Sequence, residues 1–399
     1  MTRQIQDAYI VSALRTPVGK APRGMFRHTR PDDLLAHVLR GAVDAVPGLD
    51  PAWIDDAIVG CAMPEAEQGL NVARIGALLA GLPQSVPGVT VNRFCASGLE
   101  ALAMAADRIR LGEADVMLAG GTESMSAIPM MGNRPSINPA CFGDDENVKI
   151  AYGMGLTAEK VADRWQVSRE EQDAFAAQSH ARALRATEAG AFAGETLAYT
   201  VREHYPAADG RTIQVREQLA TADEGPREGT TAEMLSKLRP VFAARGSVTA
   251  GNSSQMSDGA GAALLMSERR IRELGVEPLA RFVGYAVAGV PPEFMGIGPV
   301  EAVPRVLKRA GLTLVDLDWI ELNEAFAAQT LAVMRELDLD PSLVNPLGGA
   351  IALGHPLGAT GAIRTATLVH GLRRRKARYG MITMCVGTGM GAAGVLEAV

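Results

Sequence analysis

A thiol at the junction of a strand and a helix is the first residue whose setting suggests chemistry. Val89, Thr90 and Val91 read as a short strand, and Leu99, Leu102, Ala103, Ala106 and Ile109 recur at helical spacing. Cys95 lies in the turn between them, Asn92-Arg93-Phe94-Cys95-Ala96-Ser97-Gly98. There it meets unpaired backbone N–H groups and the positive end of a helix dipole, which favour thiolate. Ser97 and Gly98 let the backbone approach a substrate closely. The competing reading is a small buried core residue, the usual state of a free cysteine.

His355 is the matching base. Its surroundings, Asn345-Pro346-Leu347-Gly348-Gly349-Ala350-Ile351-Ala352-Leu353-Gly354-His355-Pro356-Leu357-Gly358-Ala359-Thr360-Gly361, hold five glycines, which mark tight turns where backbone meets ligand. A neutral imidazole there suits removal of a thiol proton; a structural histidine is the alternative. His28, His37, His180, His204 and His370 sit in ordinary helical or charged surroundings. Cys385 ends an apolar run and precedes Gly387-Thr388-Gly389-Met390-Gly391. A second cysteine beside a nucleophile can exchange protons with a carbon acid, although such a residue is also ordinary strand core. Asn323, in Asn323-Glu324-Ala325-Phe326 after the strand Ile320-Glu321-Leu322, can hold a water, polarise a carbonyl or simply cap a helix.

Other patterns carry less. The glycines after Cys385 are not a dinucleotide loop, because no helix follows and no acidic residue stands about 20 positions on. Arg373-Arg374-Arg375-Lys376 reads as a solvated, dipole-matched helix end rather than a phosphate site. Cys61 and Cys141 have no partner pattern and read as structural. The four cysteines form neither a disulfide framework nor a zinc motif.

The elements that position these residues fall into two α/β units. Tyr9–Ala13 and Ala57–Val59 read as strands and Pro31–Val46 as a helix; Val116–Ala119 closes the Cys95 unit. A similar unit runs from Leu343-Val344-Asn345 through a Gly-rich turn, a helix from about Thr360 to Arg375, and the strand Met381–Val386. Both turns open with Val-Asn, which suggests a divergent duplication. Right-handed crossovers would make each sheet largely parallel, with reactive turns at the strand ends. Residues 124–246 differ in kind, with Met and Pro clusters, a polar helix Arg169–Glu188 and loop-like stretches at Pro206–Gly210 and Asp223–Thr230. They read as an insertion that covers a site.

At 399 residues the chain exceeds one hydrophobic core. Its 47% hydrophobic and 21% charged residues exclude extended disorder. A net charge of −6 argues against nucleic-acid binding. No run of 18 apolar residues suggests a membrane span and the start shows no secretory signal, so a cytoplasmic location is expected.

Four motifs, taken in order, resemble those of the thiolase family. They are Val91-Asn92-Arg93-Phe94-Cys95-Ala96-Ser97-Gly98-Leu99, Asn323-Glu324-Ala325-Phe326, Gly354-His355-Pro356 and Cys385-Val386-Gly387-Thr388-Gly389. The resemblance covers essentially the whole chain. It implies a duplicated five-layer αβαβα fold with a loop domain, about 124–246, inserted in an N-terminal half (1–270) that precedes a C-terminal half (276–399). It also implies that Cys95 attacks a 3-keto carbonyl after His355 takes its proton. Cys385 would protonate the departing acetyl-CoA carbanion and deprotonate incoming coenzyme A. His355 with a water on Asn323 would form one oxyanion site, and the N–H groups of Cys95 and Gly387 a second. Arg227 would lie near the adenine, Ala250 and Ser254 along the pantetheine arm, and Met154, Met295 and Phe326 on the tunnel wall. Coenzyme A is then a co-substrate, with no prosthetic group and no metal.

Within the family the motifs resemble degradative 3-ketoacyl-CoA thiolases of fatty-acid β-oxidation; Thr388 stands where biosynthetic enzymes tend to have a second glycine. Those enzymes also often carry a histidine before the methionine matching Met154, and here the residue is Gly153. Acetoacetyl-CoA thiolases and aromatic-degradation 3-oxoacyl-CoA thiolases are the alternatives. More remote are carrier-protein condensing synthases, which pair the cysteine with two histidines, and non-catalytic thiolase-like lipid-binding proteins, which should lack one of the three reactive residues. Family habit implies a homodimer or homotetramer and leaves room for a hydratase–dehydrogenase partner.

Overall fold

Two runs of strands follow one order. The computed structural model describes residues 5–208 and 210–399. Its strands are β1 (Ala8–Arg15), β2 (Gly19–Lys20), β3 (Asp56–Gly60), β4 (Gly88–Val91), β5 (Val116–Ser124), β6 (Tyr199–Pro206), β7 (Ile213–Ala220), β8 (Ser257–Ser267), β9 (Ala280–Gly289), β10 (Trp319–Leu322), β11 (Tyr379–Val386) and β12 (Met390–Ala398). The first run is β4-β3-β5-β8-β1. The second is β10-β11-β12-β9, with Val344 bridging Ile320 on the outer side. Among the described residues, only Tyr9–Arg281 and Ile10–Ala280 pair between the two runs.

The duplication extends to side chains. Asp55 Oδ2 accepts the N–H groups of Asp115 and Val116 at 2.7 and 3.1 Å. Asp318 Oδ2 accepts those of Arg378 and Tyr379 at 2.8 and 3.0 Å, at the matching place in the second run. The largely parallel sheets expected from the sequence are not what forms. The outer strands β4, β3 and β5 pair parallel, as do β10 and β11, but β8, β1, β12 and β9 pair antiparallel. The reason is local at β12, which β11 reaches through a turn of three residues, too short for a crossover. Leu343–Asn345 also falls short of a strand and makes one bridge only.

Large apolar cores hold five layers together. One lies between the first sheet and the helices Pro31–Asp44 and Val72–Leu79, and another between the second sheet and Gly298–Ala310 with Ala327–Glu336. The third lies around the helices Ser97–Arg110 and Leu357–Arg375, sandwiched between the sheets. Leu357–Arg375 is rich in Gly and Thr, poor helix formers, so burial rather than propensity holds it. Those small residues have a use. A Cβ on Gly98 would sit 2.8 Å from Ala362 N and 2.9 Å from Gly358 O, so only glycine lets the two central helices touch backbone to backbone.

The segment between β5 and β8 is more ordered than its loop-like sequence suggests. It contains the helices Met154–Arg164 and Arg169–Glu188, the latter opened by a Ser168–Glu171 capping box, and the hairpin β6–β7. The hairpin escaped the sequence reading because β7 is exposed along nearly its whole length and shows no buried face.

Candidate active site

Cys95 sits on a strained turn that its neighbours hold in place. Phe94 adopts φ +43°, a left-handed conformation that costs a side-chain-bearing residue about 1–3 kcal/mol. Three hydrogen bonds hold it: Phe94 N–H donates to Asn92 Oδ1 (2.8 Å), Ser97 Oγ donates to Phe94 O (2.7 Å), and Arg93 N–H donates to Ser97 Oγ (2.8 Å). Asn92 Nδ2 also donates to Ala62 O at 3.0 Å, fixing the turn to the loop after β3.

The thiolate expected at this helix start does not form in the resting protein. Burial pushes the Cys95 thiol up to about 12 and Glu123 adds to the rise, against the pull of the N–H groups of Cys95 and Gly387. Those two N–H groups nonetheless converge on the sulfur. Burial outweighs the helix start, so a base is needed to make the nucleophile.

His355 has the properties of that base. Burial, with Arg364 assisting, lowers its pKa to about 3, so it is neutral at ordinary pH. Its Nδ1 lies 2.6 Å from Thr360 Oγ1 and its Nε2 3.4 Å from Asn323 Nδ2. With Thr360 accepting from Nδ1–H, Nε2 carries the lone pair, toward which Asn323 Nδ2 donates a long hydrogen bond. Asn323 caps no helix, since the next one starts at Ala327 with Phe326 as its cap. Its buried Oδ1 has no hydrogen-bond partner among the described residues. An orphan oxygen beside a neutral imidazole is a natural seat for a water.

Cys385 is the penultimate residue of β11 and is fully buried, packed with Met295, Phe326 and Met154. Burial and the neighbouring Cys95 push its thiol up. Gly387 follows in the β11–β12 turn, and a Cβ there would lie 3.5 Å from Phe94 and 3.7 Å from Met154 Sδ. A cavity of about 400 Å³ opens onto this group, lined by His355, Met154, Phe326, Ser254 and a further apolar wall that includes Met125, Phe242 and Leu357. Cys95 packs behind it against Met125 and Leu357. Met295 is buried beneath Met154 and Phe326 rather than at the cavity surface.

Arg227 and Ala250 border a smaller cleft with His180, and Gln255 lines both cleft and cavity. The acidic residues before Arg227 are engaged elsewhere. Asp223 pairs with buried Arg15, and Glu224 accepts the N–H groups of Lys20 and Met25. Among the described residues no ion pair holds the Arg227 guanidinium, which is exposed.

The sequence reading passed over several neighbours. Thr360, 2.6 Å from His355 Nδ1, was signalled only by its place in the same motif. His180 looked ordinary, yet its Nδ1 accepts Arg227 N–H at 3.2 Å. Of the basic run at the end of the central helix, Arg375 is not simply solvated, because its guanidinium stacks over the Trp319 ring, 4.4 Å from the centroid.

The chain matches the model of the thiolase N-terminal domain over residues 8–269 and that of the thiolase C-terminal domain over 276–398. It is 51% identical to the 3-ketoacyl-CoA thiolase of Bacillus subtilis (strain 168), over 98% of this chain and all of that one. It is 46% identical to peroxisomal 3-ketoacyl-CoA thiolase A of Rattus norvegicus, over 98% of this chain and 88% of that protein. Among solved structures, the dimeric peroxisomal thiolase of Saccharomyces cerevisiae superposes with a TM-score of 0.89 at 38% identity, covering 99% and 98% of the two chains. The acetyl-CoA acetyltransferase of Bacillus anthracis gives 0.87 at 39% identity, covering all of both. With a double-sheet fold, a thiol beside a neutral histidine and full-length matches of this kind, the chain belongs to the thiolase family.

Proposed function

We propose that this thiolase cleaves 3-ketoacyl-CoA with coenzyme A to acetyl-CoA and an acyl-CoA two carbons shorter, in the degradative direction. The observation that carries the reading is one apolar cavity bordered by a neutral His355, with Cys95, Asn323 and Cys385 packed around it. His355 Nε2 takes the Cys95 proton and the sulfur bonds to the 3-keto carbon. The oxygen on that carbon lies within reach of the Cys95 and Gly387 N–H groups, which already meet the sulfur. The C2–C3 bond then breaks. The enolate oxygen of the leaving acetyl-CoA receives Nε2–H and a water on Asn323, while the Cys385 thiol protonates its carbon. Cys385, now thiolate, takes the proton of incoming coenzyme A, whose sulfur attacks the acyl-cysteine and releases the Cys95 thiolate, which takes its proton back from His355. The test is the loss of 3-ketoacyl-CoA absorbance on addition of coenzyme A. No loss with any chain length removes the proposal.

The lowered pKa of His355 has a consequence for the pH profile. Its base form persists on the acid side of pH 6.5, so kcat/KM for the ketoacyl substrate shows no acid limb in the pH 6–7 range. A limb there would mean His355 titrates like an exposed histidine.

Coenzyme A enters as co-substrate along the cleft and cavity, with Arg227 at its adenine end, Ala250 and Ser254 beside its pantetheine arm, and Met154, Met295 and Phe326 forming or backing the wall. Because the adenine is remote from the bond that breaks, Arg227→Ala weakens ground state and transition state equally. KM for coenzyme A rises several-fold with kcat nearly unchanged. An unchanged KM returns Arg227 to the solvated surface.

The same reading takes 1–270 and 276–399 as the two halves, supported by the repeated strand order. It takes a dimer as the assembly. β4 is an edge strand with Val89 exposed, and Leu70 nearby is 93% exposed, an apolar edge that suits a second copy. Among the described residues no helix is long and apolar enough to cross a membrane.

A further inference from the structure

The mechanism above leaves unused one fully buried carboxylate near the reacting sulfur. Glu123 lies in β5, a strand otherwise of apolar and small residues, and is 1% exposed. Its Oε2 accepts two N–H groups, from Ala62 at 2.7 Å and Gly358 at 2.8 Å. Its Oε1 accepts Gln68 Nε2 at 2.5 Å and Met63 N–H at 3.2 Å, with Cys61 Sγ at 3.9 Å.

The partners of Oε2 belong to different halves of the molecule. Ala62 O receives Asn92 Nδ2, and Asn92 Oδ1 receives the N–H of Phe94, the residue before Cys95. Gly358 is the second residue of the central helix, after Leu357, whose N–H is bound to His355 O at 2.9 Å. One carboxylate oxygen therefore joins the chain of bonds that sets the Cys95 turn to the chain that sets the His355 turn. The joint has no slack, because a Cβ on Gly358 would lie 2.7 Å from both Ala62 N and Cys61 Cα.

We propose that Glu123 is a positioning residue for the reaction, holding the Cys95 turn and the His355 turn in register so that the thiol proton can pass between them. Burial raises the Glu123 carboxyl above its ordinary range, and the four N–H donors aimed at its two oxygens oppose that rise and favour the carboxylate. The charge has a second effect, because its field reaches Cys95 and raises that thiol. The other titratable neighbours are Cys61 on the β3 side and Cys385, which is coupled to Cys95.

Glutamine is the informative replacement. Whichever way its amide turns, an NH2 meets two N–H donors, so the joint loosens on one side and the negative charge is gone. In E123Q, kcat for thiolysis falls at least about ten-fold while KM for coenzyme A stays within two-fold. Alkylation of Cys95 by iodoacetamide, followed against pH, shifts its midpoint to lower pH. E123D keeps the charge but withdraws it by one methylene; kcat falls while the alkylation midpoint stays near that of the parent. An E123Q protein with parental kcat, or with an unmoved alkylation midpoint, overturns the proposal. If E123Q is not recovered folded, E123D decides: parental kcat there overturns it equally. The inference rests on the thiolase reading for its kcat arm only. Alkylation needs no acyl-CoA, so an inactive parent with a shifted E123Q midpoint would sink the reaction and not the role of Glu123.

Discussion

Cys95→Ala abolishes thiolysis, with a loss of roughly 10⁴-fold or more, the scale seen when a covalent nucleophile is removed. The measurement that isolates the chemistry is a single acylation. Incubated with a 3-ketoacyl-CoA and no free coenzyme A, the parent protein releases acetyl-CoA and retains the shortened acyl group on one cysteine. Mass spectrometry of peptides finds it on Cys95, and the alanine variant retains none. The other thiols make poor substitutes. Cys61 is fully buried, and burial and Glu123 push its thiol up. Cys141 lies in the short turn Pro139–Phe142, away from the cavity lining. Replacing sulfur by hydrogen at a half-buried site costs little stability, so the variant stays folded and its inactivity is chemical. An adduct on Cys61 or Cys141, or one that survives in the alanine protein, removes Cys95 from the role.

The parts of this site legible in the sequence were those in which one short segment carries both residue and setting. The Cys95 turn shows strand, nucleophile and helix in ten residues, and the glycines around His355 announce close backbone approach. What the sequence could not show was the balance of opposing effects. A helix start argues for thiolate, and only packing reveals that desolvation dominates at Cys95. Asn323 and Thr360 illustrate another limit, because their value lies in flanking one imidazole from different elements. The sheets show the same pattern. Two strand–helix–strand units were visible and suggested parallel pairing, but β8 and β12 return antiparallel through connections that hydrophobic periodicity does not encode. Glu123 had a signal that passed unread: a carboxylate in a strand of small and apolar residues needs partners, and those partners come from both halves.

Cys385→Ala separates the two proton-transfer roles. Cys385 works on carbon in the proposed reaction, and His355 on sulfur. Exchange of the α-protons of acetyl-CoA with deuterated solvent requires a base at that carbon, so in Cys385→Ala it slows by roughly 10²–10⁴-fold, the usual worth of a general acid–base group. Acylation of Cys95 by a ketoacyl substrate survives in part, because His355 still takes the thiol proton and water can protonate the departing carbanion slowly. His355→Ala shows the converse at the first step. Acylation itself fails, because a thiol raised to about 12 finds no other base, and the enolate oxygen loses its Nε2–H donor. The two variants thus differ in which half-reaction is lost, beyond the loss of turnover they share. Both side chains are buried, so each variant must first show parental thermal unfolding within a few degrees. Normal α-proton exchange in a folded Cys385→Ala protein would make Cys385 a core residue of β11, and the carbon acid–base group would then have to be sought at His355.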